Sequence, residues 1–188
     1  MQRRLMTLMM AAATALAAAG CATTMGASSH VDNGFDFARL RTFDWGAPDA
    51  FPVGDPRLDK NPIFLDHLHG AVEKQLIARG YERPVTGRPQ LLIHFHANID
   101  RRLNVNAADA KYGYCLDDAC RAGAREYEAG TLVVDVIDAR TNRLVWRGWA
   151  QDSVEGVLED RDRLVRMVDA GVARMFADFP AGALKGLQ

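Results

Sequence analysis

The stretch of sequence that decides the fold is Thr131-Leu-Val-Val-Asp-Val-Ile-Asp138, followed shortly by Leu144-Val-Trp-Arg-Gly-Trp-Ala-Gln151. The first arm is rich in β-branched residues, which favour strands. Asn142, between the arms, can take the left-handed conformation that a tight turn often requires. Trp146 and Trp149 fall on opposite faces of the second arm, so neither face is expected to be wholly solvated. The stretch therefore predicts a β-hairpin.

Two strands are predicted upstream of this hairpin. Within 39–45, Phe43 and Trp45 alternate with polar residues, which is typical of a strand with one apolar face. Within 91–98, apolar residues occupy every second position, so a second strand is expected there. The proline-rich segment 48–56 is predicted to be irregular, because proline and glycine interrupt regular structure.

Two amphipathic helices are predicted. Asn61 is a good N-cap and Pro62 suits the first helical position, so one helix begins there. Its apolar residues repeat every four positions, and Gly80 is expected to cap its end. The other helix is predicted over about 160–178, and Pro180 follows its end.

The order strand, helix, strand, strand, strand, helix indicates an α+β fold. We expect a two-layer sandwich in which a mostly antiparallel sheet carries both helices on one face. The sequence predicts a single domain over residues 35–180 and a C-terminal tail over 181–188.

The start of the chain has the layout of a secretory signal. Arg3 and Arg4 precede an apolar run, small residues close the run, and Cys21 follows them. A cysteine in this position resembles the lipobox of bacterial lipoproteins. The resemblance implies that residues 1–20 are a lipoprotein signal peptide and that Cys21 is the site of lipidation. An ordinary leader cut after the alanines at 17–19 is the alternative.

Three further observations concern the anchor. The apolar run 5–19 has only 15 residues, short of the roughly 20 that a membrane span needs. Ala22 follows the cysteine where the enterobacterial sorting pattern for inner-membrane retention has Asp, which favours the outer membrane, facing the periplasm. Residues 22–34 are small and polar, and we expect them to form a flexible tether between Cys21 and the domain.

The cysteine count agrees with lipidation. The chain has three cysteines, and acylation of Cys21 leaves Cys115 and Cys120 as an even pair in a secreted domain. A disulfide between them is expected in the oxidising periplasm. It would close a very short loop and stabilise less than a bridge across a long one. Two isolated thiols lack the further ligands of a zinc site.

The length of the chain indicates one domain, and its charge argues against a nucleic-acid partner. Removal of residues 1–20 leaves 168 residues, enough for one domain with a sizeable core. It also removes two arginines and no acid, so the formal net charge changes from −1 to −3. A nucleic-acid surface would need a clustered basic excess, so we expect no nucleic-acid partner.

Few residues indicate reaction chemistry. His94 and His96 are two apart on a predicted strand, so both imidazoles can reach one metal ion, but no carboxylate at a recognisable spacing completes the site, and a half-polar sheet face is the favoured explanation. The sequence has no Gly-x-Ser-x-Gly elbow and no His-Glu-x-x-His helix. Asp135, Asp138 and Asp152 could serve as acid and base, or simply order the turn and face solvent. We therefore expect no catalytic residues, no bound metal and no cofactor.

Segment 101–128 is predicted to be an elaborated loop and to contact a partner. Tyrosine and arginine are favoured at interface centres because they bury much area and keep polar reach. A polar loop with scattered aromatic residues is the alternative. The candidate contact residues are Tyr112, Tyr114, Arg121, Arg125 and Tyr127.

Taken in order, several short motifs resemble one family, the bacterial lipoproteins of the domain of unknown function 4136. The resemblance covers roughly residues 35–180 and implies an envelope location and this general fold. It implies no catalytic residues. The matching motifs are Thr42-Phe43-x-Trp45, Gly80-Tyr81, Leu91-Leu92-Ile93 with His96, Gly130 to Asp138, Leu144-Val145-Trp146-Arg147-Gly148 and Phe179-Pro180.

The function expected from the sequence is binding. We expect a lipid-anchored module that binds another envelope component, protein or lipid, through the 101–128 loop or an exposed sheet edge. The alternative is a carrier or sensor of a small apolar or lipid ligand. Its pocket would lie between sheet and helices and be lined by Phe95 and either Trp146 or Trp149.

Overall fold

The computed structural model describes residues 25–47, 54–103 and 126–183 of the chain. The strands are β1 Gly26–Val31, β2 Phe43–Trp45, β3 Leu91–Leu103, β4 Glu126–Asp138 and β5 Arg143–Ser153. The helices are α1 Pro56–Asp59, α2 Pro62–Ile77 and α3 Arg161–Met175, and a single 3₁₀ turn covers Phe37–Arg39.

The strands form one open sheet in the order β1-β5-β4-β3-β2. Neighbouring strands are antiparallel from β1 to β3, and β2 lies parallel to β3. The sheet is therefore mixed but mostly antiparallel, which confirms the predicted α+β class.

The predicted hairpin forms around a tight turn. The backbone N–H of Asn142 donates to the carbonyl of Asp138 at 2.8 Å. Asn142 has a φ of 56°, the left-handed conformation expected of it. The Asp138 carboxylate accepts hydrogen bonds from the Thr141 hydroxyl and the Arg140 backbone, at 2.6 and 3.1 Å. Local polar groups therefore fix the turn that sets the β4–β5 register.

Both long helices begin where predicted, and each begins with a side-chain N-cap, of which only Asn61 was predicted. The Asn61 side chain accepts a hydrogen bond from the backbone N–H of Phe64, and the Asp160 side chain accepts one from that of Arg163. Gly80, just beyond α2, has a φ of 90°. These contacts satisfy N–H groups that a helix terminus would otherwise leave without partners.

Both long helices contact the same face of the sheet. Phe95, Val134 and Gly148 are cross-strand neighbours on this face. The Phe95 ring meets Phe64 of α2 edge-on, with 6.5 Å between centroids. A Cβ added to Gly148 would lie 3.1 Å from Cβ of Met175, at the end of α3. The core thus lies between the sheet and the helices.

The tether predicted over 22–34 is wrong for residues 26–31, because these residues form β1. Its side chains alternate between exposed and half-buried, and Ala27 and Val31 pack against the core. β1 pairs with β5 through its backbone over its whole length. An edge strand held by backbone pairing needs few large apolar residues, so its sequence resembles a linker.

Three other boundaries differ from the predictions. Pro56 occupies the first turn of α1, whose N-cap Asp55 accepts a hydrogen bond from the Arg57 backbone, so the proline-rich segment is not irregular throughout. The first predicted strand is shorter and spans only Phe43–Trp45. β3 and β4 extend into the predicted 101–128 loop from both sides.

Within the described ranges, no helix has the length and apolar character needed to cross a bilayer.

Candidate functional site

An apolar pocket opens between the sheet and α3. Its volume is about 490 Å³ when its open mouth is included. Three neighbouring strands supply the floor through Ala97, Leu132 and Ala150, which are aligned across the sheet. Two of these side chains are alanine methyl groups, so they leave space where bulkier residues would fill it.

The walls of the pocket come from the helices and from the residue before β1. Leu164, Met167, Val168 and Gly171 form one stripe of α3. A Cβ on Gly171 would lie 3.3 Å from Cβ of Ala150 and 3.5 Å from Sδ of Met25, so the glycine lets α3 approach closely. The other lining residues are Met25, Leu58, Phe64, Gly130, Thr131, Gln151, Asp152, Val154 and Leu158.

The pocket offers little to a polar ligand. Among the described lining residues Asp152 alone is charged, and its carboxylate already accepts the Ser153 backbone N–H at 2.8 Å. The Gln151 amide donates to the Thr131 hydroxyl at 2.6 Å. These polar groups therefore bond one another or the backbone, and the remaining surface suits an apolar molecule.

The aromatic residues predicted to line a pocket do not line this one. Trp146 is buried between Phe176 and Phe179, with ring centroids 4.6 and 4.9 Å away. Phe95 packs among the rings near α2, and Trp149 lies on the opposite face of the sheet. The prediction is wrong because the large rings fill the core, whereas the pocket forms where the sheet carries small residues.

The outer edge of β1 is a second candidate site. The Asp32 N–H donates to the Val145 carbonyl at 2.9 Å, toward β5. Since inward and outward groups alternate along an antiparallel strand, Ala27, Ser29 and Val31 direct their N–H and C=O groups away from the sheet. No strand in the described part of the chain pairs with this edge.

The two edges of the sheet differ in protection. β1 contains no lysine, no proline and no bulge, which are the usual devices that keep an edge from pairing. The β2 edge has only three residues and is charged: Arg83 bridges Asp44 and Glu73 at 2.6 and 2.7 Å. Of the two edges, β1 is thus the longer one and carries fewer of these protecting features.

The exposed ring of Trp149 adjoins this edge. Trp149 lies directly across from Ser28, and its side chain is 41% exposed. We call the outer edge of Gly26–Val31 together with Trp149 the β1 surface. An exposed tryptophan beside an unpaired edge is a suitable anchor for a partner.

An ion pair between a half-exposed arginine and a buried carboxylate lies on the same face of the sheet. Arg147 donates two hydrogen bonds to the carboxylate of Asp135, both 2.6 Å long, and Asp135 is only 5% exposed. This pairing raises the pKa of Arg147, because the carboxylate stabilises the guanidinium charge. The pair joins β4 to β5, and Trp149 lies two residues further along β5 on the same face.

The histidines proposed as metal ligands share one side of β3, as the strand spacing predicts. His94 lies across from Asp135 and His96 across from Val133. Within residues 25–47, 54–103 and 126–183, no group of three or more His, Cys, Asp or Glu side chains is placed to hold a metal ion. Both histidines lie on the sheet face that also carries Asp135 and Val133.

Most of the residues predicted to act at a site lie outside the described residues: Cys21, Tyr112, Tyr114, Cys115, Cys120, Arg121 and Arg125. Tyr127 is half-buried on β4 and lies across from Arg102. Sequence reasoning missed β1 and the residues that line the pocket. The available signals were the small residues Ala97, Ala150 and Gly171. They indicate a pocket only once it is known that β3, β5 and α3 lie next to one another.

Comparison with known proteins concerns the fold. One solved structure, a PDZ domain protein from Parabacteroides distasonis ATCC 8503, is 17% identical with a TM-score of 0.52; the match covers 84% of this chain and 36% of that one. The chain thus spans about a third of that protein. The PelC dodecamer from Paraburkholderia phytofirmans is 10% identical over 79% of this chain and 97% of that one, with a TM-score of 0.38.

At these identities the first likeness shows the fold alone, and the second is too low to support a conclusion. No curated protein matches the chain. Residues 27–181 match the family described as "Domain of unknown function (DUF4136)". Because this match spans β1 and the whole sheet-and-helix domain, the chain belongs to the DUF4136 family.

Proposed function

We propose that the protein is a lipid-anchored, periplasm-facing module of the bacterial outer membrane that binds another envelope protein through the β1 surface. Cys21, after a basic, apolar and small-residue leader, supports the anchor. Ala22 supports the outer membrane. The sequence has no recognisable catalytic motif, so the proposed role is binding and not catalysis.

The observation that carries this proposal is the outer edge of β1, with which no strand of residues 25–47, 54–103 and 126–183 pairs. An extended segment of a partner can add to such an edge as a further strand, with main-chain hydrogen bonds giving affinity. Ala27, Ser29 and Val31 offer these groups in register. Trp149 beside them supplies the aromatic contact that commonly dominates binding energy.

In-cell cross-linking tests the proposal. A photoreactive phenylalanine analogue replaces Ser28, which is exposed on β1, and in a matched control it replaces Thr141, exposed in the hairpin turn. We expect a defined cross-linked partner from position 28 and none from position 141. Equal products from both positions, or none from position 28, would contradict the proposal.

A second pair of variants separates Trp149 from general surface hydrophobicity. Trp149→Ala is expected to weaken the cross-link from position 28. Ile77→Ala removes another exposed apolar side chain, 57% exposed on α2, and is expected to leave the cross-link unchanged. Equal effects of both substitutions would show that Trp149 has no specific part in binding.

The apolar pocket supports a second candidate function, that of a carrier or sensor of a small apolar or lipid ligand. Its walls are mostly apolar, with Leu132, Leu164 and Met167 among them, and such a lining suits a ligand of this kind. Native mass spectrometry of protein taken from its own envelope distinguishes the two functions. A bound lipid favours the carrier, whereas a co-purified protein favours the binding module.

A further inference from the structure

We infer that the apolar pocket binds one acyl chain of a phospholipid from the membrane in which the protein is anchored, with the lipid phosphate at Arg174. The inference rests on the proposed lipid anchor and deepens the second candidate function. It names the class of ligand, its source and its orientation in the pocket.

The walls of the pocket match the chemistry of a flexible hydrocarbon chain. Met25 and Met167 lie on two sides, and methionine side chains adapt to irregular apolar ligands. Leu132 and Leu158 add branched apolar surface. A polar ligand buried here would lose its hydrogen bonds to water without replacement, which disfavours it. An acyl chain has no such cost.

The position of the anchor brings the membrane close to the pocket. Met25 lines the pocket and lies four residues after Cys21. Four residues span at most about 14 Å even when fully extended. Whatever path residues 22–24 take, a lipid on Cys21 holds the bilayer surface within that distance of Met25. A phospholipid can therefore insert one chain without leaving the membrane.

The charge beside the pocket fits a phosphate. Arg174 of α3 donates to the backbone carbonyl of Met25 at 2.8 Å, so its guanidinium lies next to the wall that Met25 forms. Guanidinium groups bind phosphate through paired, charge-assisted hydrogen bonds. A chain in the pocket would thus leave its headgroup beside the Arg174 guanidinium.

The experiment uses the mature lipidated protein bound to vesicles of phosphatidylethanolamine and phosphatidylglycerol. The vesicle phospholipids carry a photoreactive group on one acyl chain, and mass spectrometry maps the labelled residues. Only vesicle lipid is labelled, so occupation by the acyl groups of Cys21 itself would leave the pocket unlabelled. We expect label on Met25, Met167 and Leu158. An unlabelled pocket on vesicle-bound protein would overturn the inference.

Two substitutions inside the pocket, one at Arg174 and one control away from the pocket serve as variants. Met167→Gln and Leu158→Asn each place an amide on the apolar wall. We expect labelling to fall about tenfold, because a buried amide without hydrogen-bond partners disfavours occupation of the pocket by about the 1.4 kcal/mol that corresponds to a tenfold change. Leu65→Gln alters a partly buried leucine of α2 that does not line the pocket, and labelling should persist. Arg174→Gln should weaken labelling by phosphatidylglycerol. Equal labelling of the parent and both pocket variants would overturn the inference.

Failure of the anchor is distinguished from failure of the inference by vesicle flotation. Protein that does not float lacks the proposed anchor, and it is then tested in solution by native mass spectrometry with a short-chain phosphatidylglycerol. A one-to-one adduct that Met167→Gln abolishes would support the pocket assignment without the anchor. Absence of any adduct in the parent would overturn it.

Discussion

Arg147 reaches across from β5 to Asp135 on β4 and donates two hydrogen bonds of 2.6 Å to a carboxylate that is almost fully buried. The pair lies on the sheet face that the long helices leave open, one row from Trp149. A buried carboxylate requires such a partner, because desolvation otherwise disfavours its charge.

Loss of Arg147 is therefore expected to destabilise the domain. Arg147→Met removes the partner of Asp135, and we expect the free energy of unfolding to fall by about 1 kcal/mol, because solvent screens part of the interaction of the half-exposed Arg147. The double variant Arg147→Met/Asp135→Val removes both charges and should regain part of that loss. Denaturant unfolding of the full cycle measures the coupling, and additive effects would show that the pair contributes nothing to stability.

The stacked pair of His69 and Trp45 predicts a pH dependence of stability. Their ring centroids are 4.0 Å apart, and burial lowers the pKa of His69 by disfavouring the imidazolium. The unfolded chain then binds this proton more tightly than the folded chain. The His69 contribution is complete above the unfolded pKa of about 6.5 and is lost as pH falls from there through the lower pKa of the folded state.

His69→Phe isolates this effect. Phenylalanine retains a ring against Trp45 but cannot titrate, so the free energy of unfolding of the variant should fall less than that of the parent between about pH 7.5 and 5. Urea unfolding at both pH values makes the comparison. Identical pH profiles of the parent and the variant would contradict the claim that burial lowers the pKa of His69.

Two glycines are expected to respond oppositely to alanine. A Cβ on Gly148 would overlap the Trp146 ring and lie 3.1 Å from Met175 Cβ, whereas a Cβ on Gly70 of α2 would meet nothing within 4 Å. Gly148→Ala should destabilise the domain by about 2 kcal/mol through overpacking. Gly70→Ala should stabilise it by up to about 1 kcal/mol, because alanine favours the helix. Thermal unfolding decides, and stabilisation by Gly148→Ala would contradict the packing described for the core.

The proposed anchor makes a direct prediction about location. Two or more acyl chains hold a protein stably on a membrane, and a single chain binds only marginally. Cys21→Ser removes the acceptor of these chains, so the variant should leave the membrane fraction while retaining its fold. Fractionation with circular dichroism of the released protein tests this, and a variant that stays with the membrane would place the anchor elsewhere.

The parts of the fold that could be predicted from sequence are those with local signals. Asn142 marks the hairpin turn, and Asn61 and Asp160 mark the helix starts, because each side chain or backbone conformation acts on residues only a few positions away. The alternation of apolar residues similarly identifies β3 and β5. These local signals sufficed for the α+β class and for the family resemblance, which the match over residues 27–181 confirms.

The features that escaped prediction depend on distant neighbours. β1 is a strand because β5 offers it an edge, and its own residues, Gly26–Val31, carry no strong strand pattern. The pocket exists because Ala97, Ala150 and Gly171 meet in space, although they come from three elements. Neither relationship is visible before the sheet order is known.

Amide hydrogen exchange at the outer edge of β1 tests the central claim most directly. The purified protein is compared with the protein in complex with its partner from solubilised envelope. We predict that the N–H groups of Ala27, Ser29 and Val31 exchange quickly when the protein is alone and become strongly protected in the complex, because a partner strand would bond them. Unchanged exchange at these three amides in a complex that is otherwise intact would contradict binding through β1.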